Sequence, residues 1–136
     1  MFLNQLNNSE KESFLKMAIS VIQADDKIEE SEKLFIAEYA KEMDLLSYDF
    51  NEKYNAVELA KQISDSSSDA VKRIFIIELT ACAYTDGEFG KQEQNLLNGI
   101  VKAFGLTDAD LDITLKLLQD YMNVATRLST FVQEGK

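Results

Sequence analysis

The chain has 136 residues, 46% of them apolar, which is enough to build a hydrophobic core of ordinary domain size. It carries 24 acidic and 14 basic side chains, for a net charge of −10. This charge makes nucleic acids and anionic membrane surfaces poor partners, and favours cations or a basic protein surface. With no histidine and one cysteine, Cys82, the chain has no Ser-His-Asp or Cys–His pair and too few ligands for a typical zinc site.

Proline is absent, which favours long helices joined by short connections. The first residues, MFLNQLNNSEKES, lack the basic region and the continuous apolar stretch of a signal peptide. No apolar run approaches the roughly 20 residues that a bilayer-spanning helix requires. We therefore expect a soluble, cytoplasmic protein without direct membrane insertion. Cys82 lies in an apolar run, where a buried structural role is expected.

Three helices are predicted in the first half of the chain. A capping box formed by Ser9 and Glu12 predicts the start of the first, which should continue to about Ala24. Apolar residues at helical spacing predict a second helix over 31–43 and a short third one over 56–63. The segment between them is irregular.

The second half begins with a serine-rich stretch over 64–69, which predicts a loop that ends in an N-cap. The following helix, predicted over 70–85, is apolar nearly all round, as is typical of a helix in the middle of a bundle. Another helix is predicted over 91–104, with Gly105 as its C-cap residue.

Thr107 is predicted to cap a last helical segment, which forms either one long helix or two helices broken near Asn123. Its apolar residues recur at spacings of four and three, a stripe that either closes the chain's own bundle or forms a dimer seam. We favour the intramolecular interpretation, and Phe131 and Val132 predict packing almost to the end of the sequence. The stripe consists of Leu111, Leu115, Leu118, Met122 and Ala125.

The sequence contains an internal repeat. Residues 14–45 align without a gap onto residues 75–106, at an offset of 61. Both copies have an aspartate after an apolar helix, an apolar residue three positions later and a glutamate seven positions later. We expect one domain over 1–136, with repeat units of about 14–45 and 75–106. The identical pairs are Phe14/Phe75, Asp25/Asp86, Glu32/Glu93, Lys41/Lys102 and Leu45/Leu106.

The pattern Asp-Gly-x-(apolar)-x-x-x-Glu, occurring twice in a helical chain, resembles the TerB-like family. That family is named for tellurite-resistance proteins, and similar domains occur in DjlA-type co-chaperones. The second copy, TDGEFGKQE, fits best, whereas Asp26 stands in the first copy where glycine is usual. The resemblance implies an all-α, TerB-like helical bundle with two pseudo-symmetric helix–acidic turn–helix repeats. It also implies a link to metal or oxyanion stress.

The two acidic turns are the candidate functional site. If a pseudo-twofold axis brings them together, Asp25, Glu32, Asp86 and Glu93 share one site for a hard cation such as Ca²⁺ or Mg²⁺. The site is not an EF-hand, because a twelve-residue loop counted from either aspartate ends on an apolar residue.

A structural interpretation of the same residues is also open. Glu32 and Glu93 fit the third position of the following helices, where a glutamate accepts from the backbone N–H groups of Glu29 and Gly90. The leading hypothesis is a non-enzymatic domain that binds a partner protein, a divalent cation or both through its acidic face. The alternatives are a scaffold whose turns only cap helices and a metal-dependent hydrolase. We expect a monomer or a weak homodimer.

Overall fold

The computed structural model describes residues 1–24, 28–45, 47–50, 52–84 and 90–136. In these ranges the chain is all-helical and contains no strand, which confirms the all-α prediction. A 3-10 helix, Leu3–Gln5, precedes the first α-helix. The α-helices are α1 (Asn8–Ile22), α2 (Glu30–Glu42), α3 (Ala56–Ser66), α4 (Asp69–Ala83), α5 (Lys91–Ala103) and α6 (Asp108–Glu134).

The capping box of α1 differs from the prediction. Asn7, rather than Ser9, is the N-cap, and its side chain accepts from the backbone N–H of Glu10 at 2.8 Å. Glu10 Oε1 accepts in return from the N–H of Asn7 at 2.9 Å. Asparagine caps a helix as well as serine does. Where several such residues follow one another, the sequence alone does not determine which of them is the N-cap. With Asn7 as the N-cap, Glu10 is the third residue of the helix and is buried. Its Oε2 also accepts from Ser67 Oγ at 2.6 Å.

The predicted serine-rich loop over 64–69 is shorter than expected, because α3 continues to Ser66. Ser66 fits into the last turn by donating from Oγ to the carbonyl of Gln62 at 3.1 Å. Ser68 is then the N-cap of α4 and accepts from the N–H of Val71 at 3.3 Å. The N-cap thus lies within the predicted stretch, one residue earlier than a helix starting at residue 70 implies, and the loop is shorter than predicted.

Helix α4 lies in the middle of the bundle, as its apolar sequence predicts, and packs against α1, α2, α5 and α6. A series of edge-to-face aromatic contacts runs across it. Phe14 of α1 meets Phe75 of α4 with ring centroids 5.4 Å apart, and Phe14 also meets Tyr39 of α2 at 5.1 Å. Phe75 meets Phe104, at the end of α5, at 5.9 Å. These rings connect both helix pairs through one core.

The helix bounds repeat along the chain at the offset that the alignment predicts. The bounds of α1 and α4 differ by 61 residues at both ends, and so do those of α2 and α5. Both α2 and α5 are followed by a residue in the left-handed region, Asp44 with φ 56° and Gly105 with φ 74°. The N–H groups of Leu45 and Leu106 then bond back to the last helical turn at 2.8 and 3.0 Å, as in a Schellman motif. A twofold axis that relates the two units in space stays a prediction.

Helix α6 is continuous, with Asn123 in its interior. Leu111 and Leu118 are buried against the bundle, but every residue from 119 to 136 is exposed. The intramolecular interpretation of the apolar stripe is therefore wrong beyond Leu118, and Phe131 and Val132 are 75% and 61% exposed. The reason is length: α6 has 27 residues, whereas α1 and α4 have 15. At a rise of about 1.5 Å per residue, the C-terminal part of α6 extends well beyond the end of the bundle.

In the described ranges, no helix combines the length and the hydropathy that crossing a bilayer would require.

Phe75→Ala tests the central packing. Removal of a fully buried ring that contacts two other rings is expected to lower the free energy of unfolding by about 3–5 kcal/mol. Urea denaturation followed by circular dichroism measures the change. Leu34→Ala, at a side chain 67% exposed on α2, serves as the control and should change stability little. A loss below about 1 kcal/mol for Phe75→Ala would contradict this packing.

Candidate functional site

Two of the four predicted site residues, Glu32 and Glu93, occupy equivalent places in the fold. Each is the third residue after the N-cap of its helix, α2 or α5. Their side chains are buried, with 5% and 6% of their surface exposed. A carboxylate in the first turn interacts favourably with the helix dipole, but its burial removes most of its hydration.

Glu32 forms the capping bond that the structural interpretation predicts. Its Oε1 accepts from the backbone N–H of Glu29, the N-cap residue of α2, at 2.9 Å. This bond fixes the carboxylate at the point where the first acidic turn enters the helix. Because a carboxylate offers about four acceptor sites, capping is compatible with a second ligand.

The carboxylate of Glu93 folds back in the same direction. Gly90 is the N-cap residue of α5, and Glu93 Oε1 lies 2.7 Å from the place that a Cβ atom on Gly90 would occupy. The predicted third-position placement is thus found in both helices. The two turns differ in detail, because the residue equivalent to Gly90 is Glu29, which has a side chain.

Cys82 shows that these two glutamates act on one region of the core. The thiol lies on α4 and is fully buried, as the apolar sequence around it predicts. Burial raises its pKa first, and the negative charges of Glu32, Glu93 and Glu78 raise it further. Charges that perturb the same buried thiol lie within electrostatic reach of it. The first turns of α2 and α5 thus both lie within electrostatic reach of the same residue of α4.

Glu78 is a third buried carboxylate near Cys82, and the sequence analysis did not single it out. It is 2% exposed, and its Oε1 accepts from the N–H of Phe2 at 3.2 Å and from the amino group of Met1 at 2.9 Å. Its backbone carbonyl accepts from the hydroxyl of Tyr39 at 2.7 Å. The available signal was a lone charged residue inside the apolar run IFIIELTACAY.

Asp25 and Asp86, the other two predicted ligands, lie outside the described residues. Among the residues that the structure does describe, no three carboxylates or thiols are grouped closely enough to hold a metal ion. Glu32 and Glu93 thus supply half of the predicted donor set. The four-carboxylate cation site stays a prediction.

A cavity of about 330 Å³ adjoins the first acidic turn. Its lining includes Ala24 and Ile28, on either side of that turn, and Leu96 of α5. The side-chain amide of Gln23 closes one side by donating to the carbonyls of Phe50 and Glu52, the latter at 3.1 Å. These bonds attach the segment before α3 to the end of α1, close to the turn.

The buried thiol gives a direct test of this geometry. Because burial and neighbouring carboxylates raise the pKa of Cys82, the folded protein should have almost no thiolate at neutral pH. We expect a thiol-reactive disulfide reagent to label Cys82 only as fast as the protein opens, and rapidly in urea. Fast, complete labelling of the folded protein would contradict the placement of Cys82 in the core.

Comparison with known protein families gives a match to part of the chain. The family model described as tellurite resistance protein TerB matches residues 50–115. The matched segment contains α3, α4, α5 and the start of α6, and therefore the second acidic turn; α1 and α2 precede it. No curated protein and no solved structure matches the chain. The match over residues 50–115 supports a TerB-like family for the chain.

Proposed function

We propose that the protein is a non-enzymatic TerB-like domain that binds Ca²⁺ or Mg²⁺ through Glu32 and Glu93, together with Asp25 and Asp86. One observation carries the proposal. Two glutamates, Glu32 and Glu93, are buried at equivalent third positions of α2 and α5, the second helices of the two helix pairs. Carboxylate oxygens are the ligands that these hard cations prefer.

Electrostatics supplies the driving force. Glu32 and Glu93 are both buried, and burial removes most of the hydration of a carboxylate. A divalent cation would replace the lost hydration with metal–oxygen bonds, and the aspartates in the preceding turns would complete its oxygen ligands. The capping bond from Glu29 to Glu32 orients one carboxylate in advance, so that less freedom is lost on binding.

The acidic character of the chain supports the proposal that it also binds a partner protein. The chain has ten more acidic than basic side chains, which favours a basic protein surface as the partner. The description of the matched family as a tellurite resistance protein supports a role in metal or oxyanion stress. In such a role, the cation-loaded turns would present a less negative surface to the partner than the empty turns do.

Thermal melting tests the cation proposal. A ligand that binds only the folded state at about 100 times its Kd adds about 2.7 kcal/mol of stability. For a chain of 136 residues we expect a rise in Tm on the order of 5–10 °C at saturating Ca²⁺ or Mg²⁺. Excess EDTA should reverse the rise. An unchanged Tm at millimolar concentrations of both cations would rule the proposal out.

The double variant Glu32→Gln/Glu93→Gln separates binding from capping. Glutamine still serves in a capping box, so the fold should persist, whereas the Tm rise with cation should disappear. Glu10→Gln is the matched control, because Glu10 is also a buried third-position glutamate in a capping box, at the start of α1. It should keep the full rise. If the double variant responds to cation as the wild type does, the ligands lie elsewhere.

A second candidate is a scaffold whose acidic turns only cap helices, and the Glu29–Glu32 bond supports it. On that account, cations leave the Tm of the wild type unchanged. The double glutamine variant then also melts close to the wild type in the absence of cation.

A further inference from the structure

An apolar stripe runs along an exposed side of α6, and Tyr121, one of its residues, also lines a cavity beside Phe35 and Tyr39 of α2. The stripe begins beside the packed part of the helix, where Ile113 and Leu117 are exposed while Leu111 and Leu118 are buried. It continues over the whole exposed extension, at helical spacings of four and three. The stripe consists of Ile113 (57% exposed), Leu117 (59%), Tyr121 (56%), Val124 (51%), Leu128 (62%), Phe131 (75%) and Val132 (61%).

We propose that this stripe pairs with the same stripe of a second copy, and that the two α6 helices run antiparallel. Centred between Met122 and Asn123, the pairing places Leu117 of one copy against Leu128 of the other, and Tyr121 against Val124. Ile113 then meets Val132. The paired region is about 30 Å long at 1.5 Å per residue. The inference is independent of the cation site proposed above.

Charge complementarity selects this arrangement. Asp120 and Arg127 are the only charged residues between positions 117 and 131, and each precedes a stripe residue by one position. In the antiparallel pairing, Asp120 of each copy faces Arg127 of the other, which gives two reciprocal ion pairs. In a parallel pairing, Asp120 of one copy would instead lie beside Ala125 of the other, and Arg127 beside Val132. Neither of these partners is charged.

Net charge points to a second copy as the occupant. Residues 119–136 contain two acidic side chains (Asp120, Glu134) and two basic ones (Arg127, Lys136), so this segment is neutral. The whole net charge of −10 therefore lies in residues 1–118. The negative bundles of two copies repel each other, but the neutral segments 119–136 do not. Because this segment has no excess charge, it does not favour a partner of opposite charge over a second copy.

The buried area fits a weak dimer. At about 60–120 Å² of apolar surface per buried side chain, the two stripes remove on the order of 1,000 Å² from water. That value is near the lower bound for a specific interface, a size typical of weak association. The family match ends at residue 115, so most of the stripe lies outside the matched segment.

Sedimentation velocity of the full chain tests the dimer. We expect the 15.4 kDa chain to associate to a dimer as its concentration rises from about 1 to 500 µM. Leu128→Asp should weaken association at least about 100-fold, because both copies would bury a carboxylate. Leu34→Asp is the matched control, at an equally exposed leucine of α2, and should leave association unchanged. Both variants should keep the wild-type helical circular dichroism, since neither leucine is buried within one chain.

Charge reversal tests the antiparallel orientation. Asp120→Arg alone and Arg127→Asp alone should each weaken self-association at least about 10-fold, because like charges then face each other twice. An equimolar mixture of the two variants should restore dimers, since every facing pair is again opposite in sign.

Three results would overturn the proposal. The first is a wild-type chain that stays monomeric at about 500 µM, including one that binds lipid vesicles through α6 instead. The second is a dimer that Leu128→Asp weakens no more than Leu34→Asp does. The third is a mixture of the charge variants that associates no better than either variant alone.

Discussion

The contact between Phe14 and Phe75 is the interaction on which the rest of the structure depends. The two rings lie at positions that the repeat makes equivalent, and they meet edge to face where α1 packs against α4. Helix α2 joins this centre through Tyr39, and α5 joins it through Phe104. Because Tyr39 and Phe104 contact these two rings, the C-terminal ends of α2 and α5 are both attached to the same centre. Glu32 and Glu93 lie in the first turns of the same two helices, and both raise the pKa of the buried Cys82 thiol.

Much of the fold was predictable because local rules decide it. Helical periodicity predicted each α-helix, and the αL glycine after α5, Gly105, is where the sequence places it. The errors fall where local signals compete or where only tertiary structure decides. Asn7 and Ser9 are both good N-caps, so the start of α1 could not be chosen from the sequence. The pattern of α6 shows which face is apolar, and it contains no information on what covers that face.

The candidate site was predictable in part for the same reasons. The ungapped repeat and the capping rule together predicted the third-position placement of Glu32 and Glu93, which the structure shows. Their burial and their common effect on Cys82 depend on how α2 and α5 pack beside α4, which no local pattern contains. Glu78 escaped notice because the backbone N–H that it binds belongs to Phe2, far away in sequence.

The central claim is that the two helix pairs hold their carboxylates in one place, so that both glutamates serve a single cation. The stoichiometry of Ca²⁺ binding, measured by isothermal titration calorimetry on the wild type and on Glu32→Gln and Glu93→Gln separately, tests this most directly. The account predicts one ion per chain, and a loss of binding in either single variant. Two ions per chain, each lost only with its own glutamate, or no binding at all, would contradict it.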